Sequence, residues 1–207
     1  MAPDSWGAES RYCVRAMVVA TDPEIPRHVI SLEVYEQMIA AGILGEDDRV
    51  QLLEGVIVDT VPPSPEHADT VDWLNMHFAA ALVGRAVVRV QNPLRLPAAT
   101  SQPEPDLSLI ARDRPKGRHP EQAFLVIEVA LSSLRIDRIH KARIYARAGV
   151  PEYWLVDPEH GRVEVRRDPR EDAYAQLDVY DAGATIAPQA FPDVSVDVGA
   201  LLAGGGA

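Results

Sequence analysis

Apolar and polar positions alternate along the chain in rhythms that name its elements. Leu32, Tyr35 and Ile39 share one face of a helix that Ser31 caps and Gly42 stops. The β-rich run VQLLEGVIVDTV is split by Gly55 into 50–54 and 56–61, a hairpin or one bent strand, and Pro62, Pro63 and Pro65 end it. Ser64 and Pro65 form the cap and first residue of a second helix, whose apolar face is Val71, Leu74, Phe78 and Leu82 and whose end is Gly84. Strands are expected at 86–91, 94–96, 106–111 and 123–131. The last, AFLVIEVAL, is apolar nearly throughout, as suits a central strand covered on both faces, and one acid, Glu128, interrupts it. A third helix runs from Ser132 or Ser133 to Ala148, before Gly149 and Pro151. Strands follow at 153–157, 163–167 and 173–179, the first two joined at His160-Gly161. The C-terminal VSVDVGALLAGGGA reads as a short strand and a small apolar segment. This order predicts an α/β domain over 26–202, a central mixed β-sheet flanked by helices, with a loose tail at 1–25 and a frayed one at 203–207.

Composition narrows the class. With 207 residues, 47% hydrophobic and 25% charged, the chain has the make-up of one globular domain and not of a disordered segment. The lone cysteine, Cys13, excludes an intrachain disulfide and a Cys-based zinc site. No apolar run approaches the ~18 residues of a membrane span. Asp4 and Glu9 stand where a leader would be basic, so a reduced, cytoplasmic protein is expected.

The net charge of −11 argues against indiscriminate nucleic-acid binding. Residues 112–170 nevertheless hold 13 of the 20 basic residues and 9 of the 31 acids. That excess is either one basic face of the kind a phosphate-binding surface needs, or a set of solvated arginines. Lys116 and Lys141 are the only lysines, and an ammonium does chemistry that a guanidinium does poorly.

Four polar residues stand where polarity is costly: Glu54 at the end of an apolar strand, Asp106 at the start of one, Glu128 within the most apolar one, and Lys141 in the helix that follows. A buried carboxylate must be paired, protonated or on a metal. Asp106 and Glu128 lie on strands consecutive in sequence, and two carboxylates converging at a sheet edge call for a cation; Mg²⁺ or Mn²⁺ takes such oxygens. Each residue also has a plainer reading. Glu128 could pair with Arg143, Asp106 could cap a turn after Pro105, Glu54 could face water in a hairpin, and Lys141 could form a helical ion pair with Asp137 four residues earlier. His67, in the first turn of its helix, is structural or reaches the site. His28, His77, His119, His140 and His160 show no metal-ligand spacing. Tyr153 and Trp154 are core or interface residues rather than base-stacking ones.

The strings PEPDLSLI and AFLVIEVALSSLRIDRIHKARIYARAGVPEYWLVDP closely resemble the Uma2 family of restriction-endonuclease-like proteins, within the PD-(D/E)XK nuclease superfamily. QLLEGVIV and PPSPEHA fit the same pattern, and the resemblance runs from about 31 to 198. It implies that Pro105-Asp106 is the superfamily's PD and Glu128 its second acid. The lysine expected two residues later is replaced by Ala130, which implies its migration to Lys141 on the next helix. Glu54 matches the upstream acid, His67 the histidine after the proline-rich turn, and Tyr145 a family tyrosine. LSSL departs from the family's usual proline after the second acid, without removing a proposed ligand.

The resemblance implies a Mg²⁺- or Mn²⁺-dependent endonuclease acting on DNA. Asp106, Glu128 and a backbone carbonyl near Val129 would hold the ion, Glu54 would complete the site or help hold a second ion, and Lys141 would orient the attacking water. The competing expectation is a catalytically silent binding module on the same fold. RNA or branched DNA stands equally open as substrate. A homodimer is expected if both strands of a duplex are cut, with Tyr153–Leu155 and the Val163–Arg167 hairpin as its surface or, equally, as monomer core.

Overall fold

The computed structural model describes residues 28–45, 47–131 and 133–204. The expected tail at 1–25 and the last three residues lie outside this range. Helix α1 (Leu32–Ala40) starts at Ser31, whose hydroxyl accepts the Val34 amide. It packs Leu32 and Tyr35 on Leu52 of a small hairpin, β1 (Val50–Leu53) and β2 (Val56–Asp59). Glu54 and Gly55 turn that hairpin with φ of 49° and 77°, the double positive φ that short hairpin turns favour. Helix α2 (Pro65–Ala81) begins at Ser64, which accepts the His67 amide, with Pro65 in its first turn as expected.

The body is a six-stranded sheet. Its strands are β3 (Val87–Val90), β4 (Leu107–Ile110), β5 (Leu125–Val129), β6 (Glu152–Asp157), β7 (Arg162–Arg170) and β8 (Ala173–Asp181), and they lie in sequence order. Only β5 and β6 pair in parallel; the other neighbours are antiparallel, so the sheet is mixed. The parallel step requires a crossover, and the chain between β5 and β6 supplies it as helix. That helix is not α throughout. Ile136–Lys141 winds as a π-helix and Ala142–Arg147, α3, continues it as α-helix. Residues 94–96, expected as a strand, contribute only an isolated bridge, Leu96 to Ser101. The C-terminal segment forms a two-stranded pair, β9 (Thr185–Ile186) with β10 (Val196–Asp197), and then α4 (Val198–Leu202).

Pleating divides the core. Leu107, Leu109, Leu125, Ile127, Val129, Trp154 and Val156 face Val71, Leu74 and Phe78 of α2 and Leu201 of α4. Ile110, Val126, Tyr153 and Leu155 face Ile144 and Tyr145 of α3. Tyr153, Trp154 and Leu155 are fully buried inside the chain, as are Val163 and Val165. The surface expected for a dimer is therefore monomer core. Among the described residues no helix is long and apolar enough to cross a membrane.

Two glycines separate backbone strain from steric fit. Gly84 (φ 76°) has open space where a Cβ would stand. At Gly55 a Cβ would lie 2.8 Å from Val29 Cβ and 3.0 Å from the Ile30 carbonyl. Gly84→Ala should cost about 1–2 kcal/mol, the price of a left-handed alanine. Gly55→Ala should cost clearly more in urea denaturation; equal losses would show that the hairpin is not clamped against residues 29–30.

Candidate active site

Asp106 directly precedes β4 and Glu128 lies in β5. The antiparallel register pairs Leu107 with Ile127, so one step further brings Asp106 opposite Glu128. Residues opposite each other share a face of the pleat, here the face of Ile110 and Val126. Asp106 is oriented by the Val129 amide, which donates to its Oδ2 at 2.8 Å, and His67 Nε2 lies 3.1 Å from the same oxygen. The helix start that Ser64 and Pro65 define thus carries His67 to the strand end.

Glu128 is 2% exposed. Tyr145 donates its hydroxyl to Glu128 Oε1 at 2.6 Å, and the Lys141 ammonium is 2.9 Å from Oε2. Arg143, the pairing partner considered for Glu128, binds Glu54 instead. Lys141 also lies 3.2 Å from Asp137 Oδ1. Both Asp137 and Lys141 are buried, whereas Ile136 and Ile139 are about half exposed. This inverts the usual burial of a helix. The π-helical segment closes its hydrogen bonds over five residues and turns the Asp137–Lys141 pair inward. Three contacts hold that segment down. Ser133 donates to Asp137, the Tyr153 hydroxyl donates to the Asp137 carbonyl at 3.1 Å, and Arg138 bridges Asp157 (3.0 Å) and Glu164 (2.7 Å).

Burial pushes the Glu128 carboxyl up to about 8; the neighbouring charges of Asp137 and Asp106 add to this, while Lys141 and the Tyr145 hydroxyl oppose it. Burial alone would lower the Lys141 pKa, yet the carboxylates of Glu128, Asp137 and Asp106 more than offset it and hold the ammonium charged. The His67 pKa is raised, chiefly by its contact with Asp106. Negative charge is in excess here, which is the electrostatic condition for attracting a cation.

Asp106, Glu128, Val129, Asp137, Lys141 and His67 all line one open cavity of about 980 Å³, joined by Gln51, Gln102 and Glu104. Glu54 does not line it. Its carboxylate is held by Arg143 and by Arg147 at 3.0 Å, because the positive-φ hairpin turn sends it toward α3. The expected role of Glu54 as a site acid is corrected accordingly. Glu104 stands nearer the role: it lines the cavity from an exposed position, with its pKa raised by desolvation and opposed by Lys141. Glu104 is two residues from Asp106, and the period of two along an extended chain was the signal for it. Asp137 is legible as the residue one turn before Lys141, though as a surface partner rather than a buried acid.

Among the described residues no group of three or more His, Cys, Asp or Glu is arranged to hold an ion. The oxygens on offer are two carboxylates and nearby main chain. That set fits Mg²⁺ or Mn²⁺, which commonly take one or two carboxylates and leave other positions to water and substrate phosphate.

A model of the Uma2 family, described as "Putative restriction endonuclease", matches residues 32–199. A solved structure described as a "putative nuclease belonging to DUF820" from Anabaena variabilis superposes with a TM-score of 0.65. It shares 16% identity and covers 84% of this chain and 98% of its own. At that identity the likeness establishes the fold. A comparison with curated proteins finds no match.

The elevated carboxyl has a measurable signature in the metal-free protein. Between about 4.5 and 8 the folded state holds a proton on Glu128 that the unfolded chain has released. The folded state then binds more protons, so stability falls as pH rises through that window. The raised His67 acts in the same direction, and His119, lowered by burial and Arg89, acts against it. Comparing urea unfolding of the parent with Glu128→Gln from pH 5 to 8 isolates the carboxyl. The stability difference should shift steadily in favour of the variant as pH rises, and a pH-independent difference would contradict the elevated pKa.

Proposed function

The chain belongs to the Uma2 family, and on that premise we propose that it is a divalent-metal-dependent nuclease hydrolysing phosphodiester bonds in DNA. The observation that carries the reading is the register that sets Asp106 opposite Glu128, with the Lys141 ammonium 2.9 Å from the second acid. Asp106, Glu128 and the Val129 carbonyl would hold Mg²⁺ or Mn²⁺. Such an ion, when bound, neutralises charge on the scissile phosphate as the bond to the leaving oxygen breaks.

The remaining work falls to side chains. The Asp106 carboxylate is aimed by the Val129 amide, and His67 restrains the same oxygen. Tyr145 fixes the rotamer of Glu128 by donating to Oε1, leaving Oε2 toward Lys141. Lys141, held by Glu128 and Asp137, is the group placed to orient an attacking water and to steady the charge that develops on it. Its slot is bounded by two carboxylates at 2.9 and 3.2 Å, dimensions that suit an ammonium and not the wider guanidinium fork. Glu104, on the same wall, takes the auxiliary acidic role that Glu54 does not fill. Uncoupled from the site, Glu54 ties the hairpin turn to α3.

Cleavage of supercoiled plasmid in Mg²⁺ tests the assignment. Asp106→Asn should reduce cutting to background. Lys141→Arg should fold normally and lose about 10²-fold or more, the scale of a positioned proton-handling group. Glu54→Gln should cut at the parental rate. Full activity of Asp106→Asn or Lys141→Arg, or loss of activity in Glu54→Gln alone, would overturn these roles.

A further inference from the structure

Many of the described arginines face a carboxylate; Arg95 alone meets Glu33, Glu36 and Glu121. Arg89, Arg114 and Arg118 take part in no ion pair among the described residues, and they converge. Arg89 on β3 stands opposite Ser108, two residues along β4 from Asp106. Its side chain therefore leaves the same face of the sheet as the two acids, roughly 7 Å along and 5 Å across. It is half-buried, with Nη2 donating only to the Pro93 carbonyl at 3.3 Å and Nε buried without a partner. Arg114 and Arg118 come from the loop between β4 and β5. Arg114 reaches only the carbonyls of Pro115 and Arg118, at 3.4 and 3.3 Å.

These three arginines line a second open pocket, of about 440 Å³, together with Asn92, His119 and Glu36. The Glu36 carboxylate is bound to Arg95 Nε at 2.7 Å and offsets only part of the charge of the three arginines. His119 lines both this pocket and the larger cavity, so the two adjoin at that residue. Burial and the charges of Arg89 and Arg114 lower the His119 pKa against the opposing charge of Glu36, and burial with Arg114 lowers that of Arg89. Cations gathered this closely repel one another, and an anion held between them relieves that repulsion. Guanidinium forks match phosphate oxygens two at a time.

We propose that Arg89, Arg114, Arg118 and His119 bind a backbone phosphate of the nucleic-acid strand that enters the adjoining Asp106–Glu128 cavity. The proposal rests on the nuclease reading and adds to it the surface that holds the substrate. It also accounts for how an acidic protein with an acidic site attracts a polyanion: the basic pocket offsets the repulsion beside the point of cleavage.

The test is fluorescence anisotropy with a labelled DNA duplex in Ca²⁺, over a range of salt concentrations. Arg114→Gln/Arg118→Gln is compared with the parent, and Arg170→Gln serves as a surface-arginine control, since Arg170 pairs with Asp168 away from both pockets. The double variant should bind roughly 10- to 100-fold more weakly at 0.1 M salt, and its slope of log affinity against log salt should be shallower by about 2. Arg170→Gln should match the parent. A double variant with parental affinity and slope, an equal loss in Arg170→Gln, or a parent that binds no duplex would overturn the proposal. Plasmid cleavage separates this from the underlying reading. A parent that cuts DNA while the double variant binds normally loses only the pocket, and a parent that binds through the pocket but never cuts loses only the nuclease.

Discussion

Glu128 is a carboxyl group in the middle of an apolar strand, walled by Val126, Leu155 and Tyr145. Isolated there, its charge would cost several kcal/mol in lost hydration. Much of the surrounding structure answers that cost. Lys141 and Tyr145 contact its two oxygens, and Asp137 balances the ammonium in turn. Arg138 then locks the π-helical segment to Asp157 and Glu164 of the sheet. A purely apolar residue at 128 would need none of these partners. Retaining the acid makes sense where the local excess of negative charge is itself useful, as at a site that receives a cation.

The helix after β5 shows how that constraint shapes local structure. An α-helix with the sequence RIDRIHKARIYA would be expected to bury its isoleucines and expose its charges. Instead Ile136 and Ile139 are about half exposed and Asp137 and Lys141 are inside. The π-helical winding provides the rotation, and wide turns of this type concentrate at functional sites. The lysine beside Glu128 comes from this crossover helix, while Ala130, just past the end of β5, packs in the core.

Much of the fold was legible from periodicity and punctuation. Ser31, Ser64 and Pro65 act at helix starts through side-chain caps and fixed φ, which are local properties. The apolar run around Glu128 is a strand covered on both faces, and Asp106 lies across from it. What stayed hidden depends on non-local geometry. Residues 94–96 look like a strand but make a single bridge. The short β9–β10 pair depends on packing across the C-terminal segment. Glu54 reads as a site acid until the hairpin turn directs it to Arg143 and Arg147. The π winding leaves no mark in a pattern that fits an α-helix.

The account rests on Asp106 and Glu128 acting as one oxygen set, and crystals soaked in Mn²⁺ test that most directly. Anomalous difference density should show one strong peak within about 2.0–2.6 Å of oxygens from both carboxylates. A map with no peak at saturating Mn²⁺ and the Lys141–Glu128 pair intact, or a peak on Glu54 alone, would contradict the account.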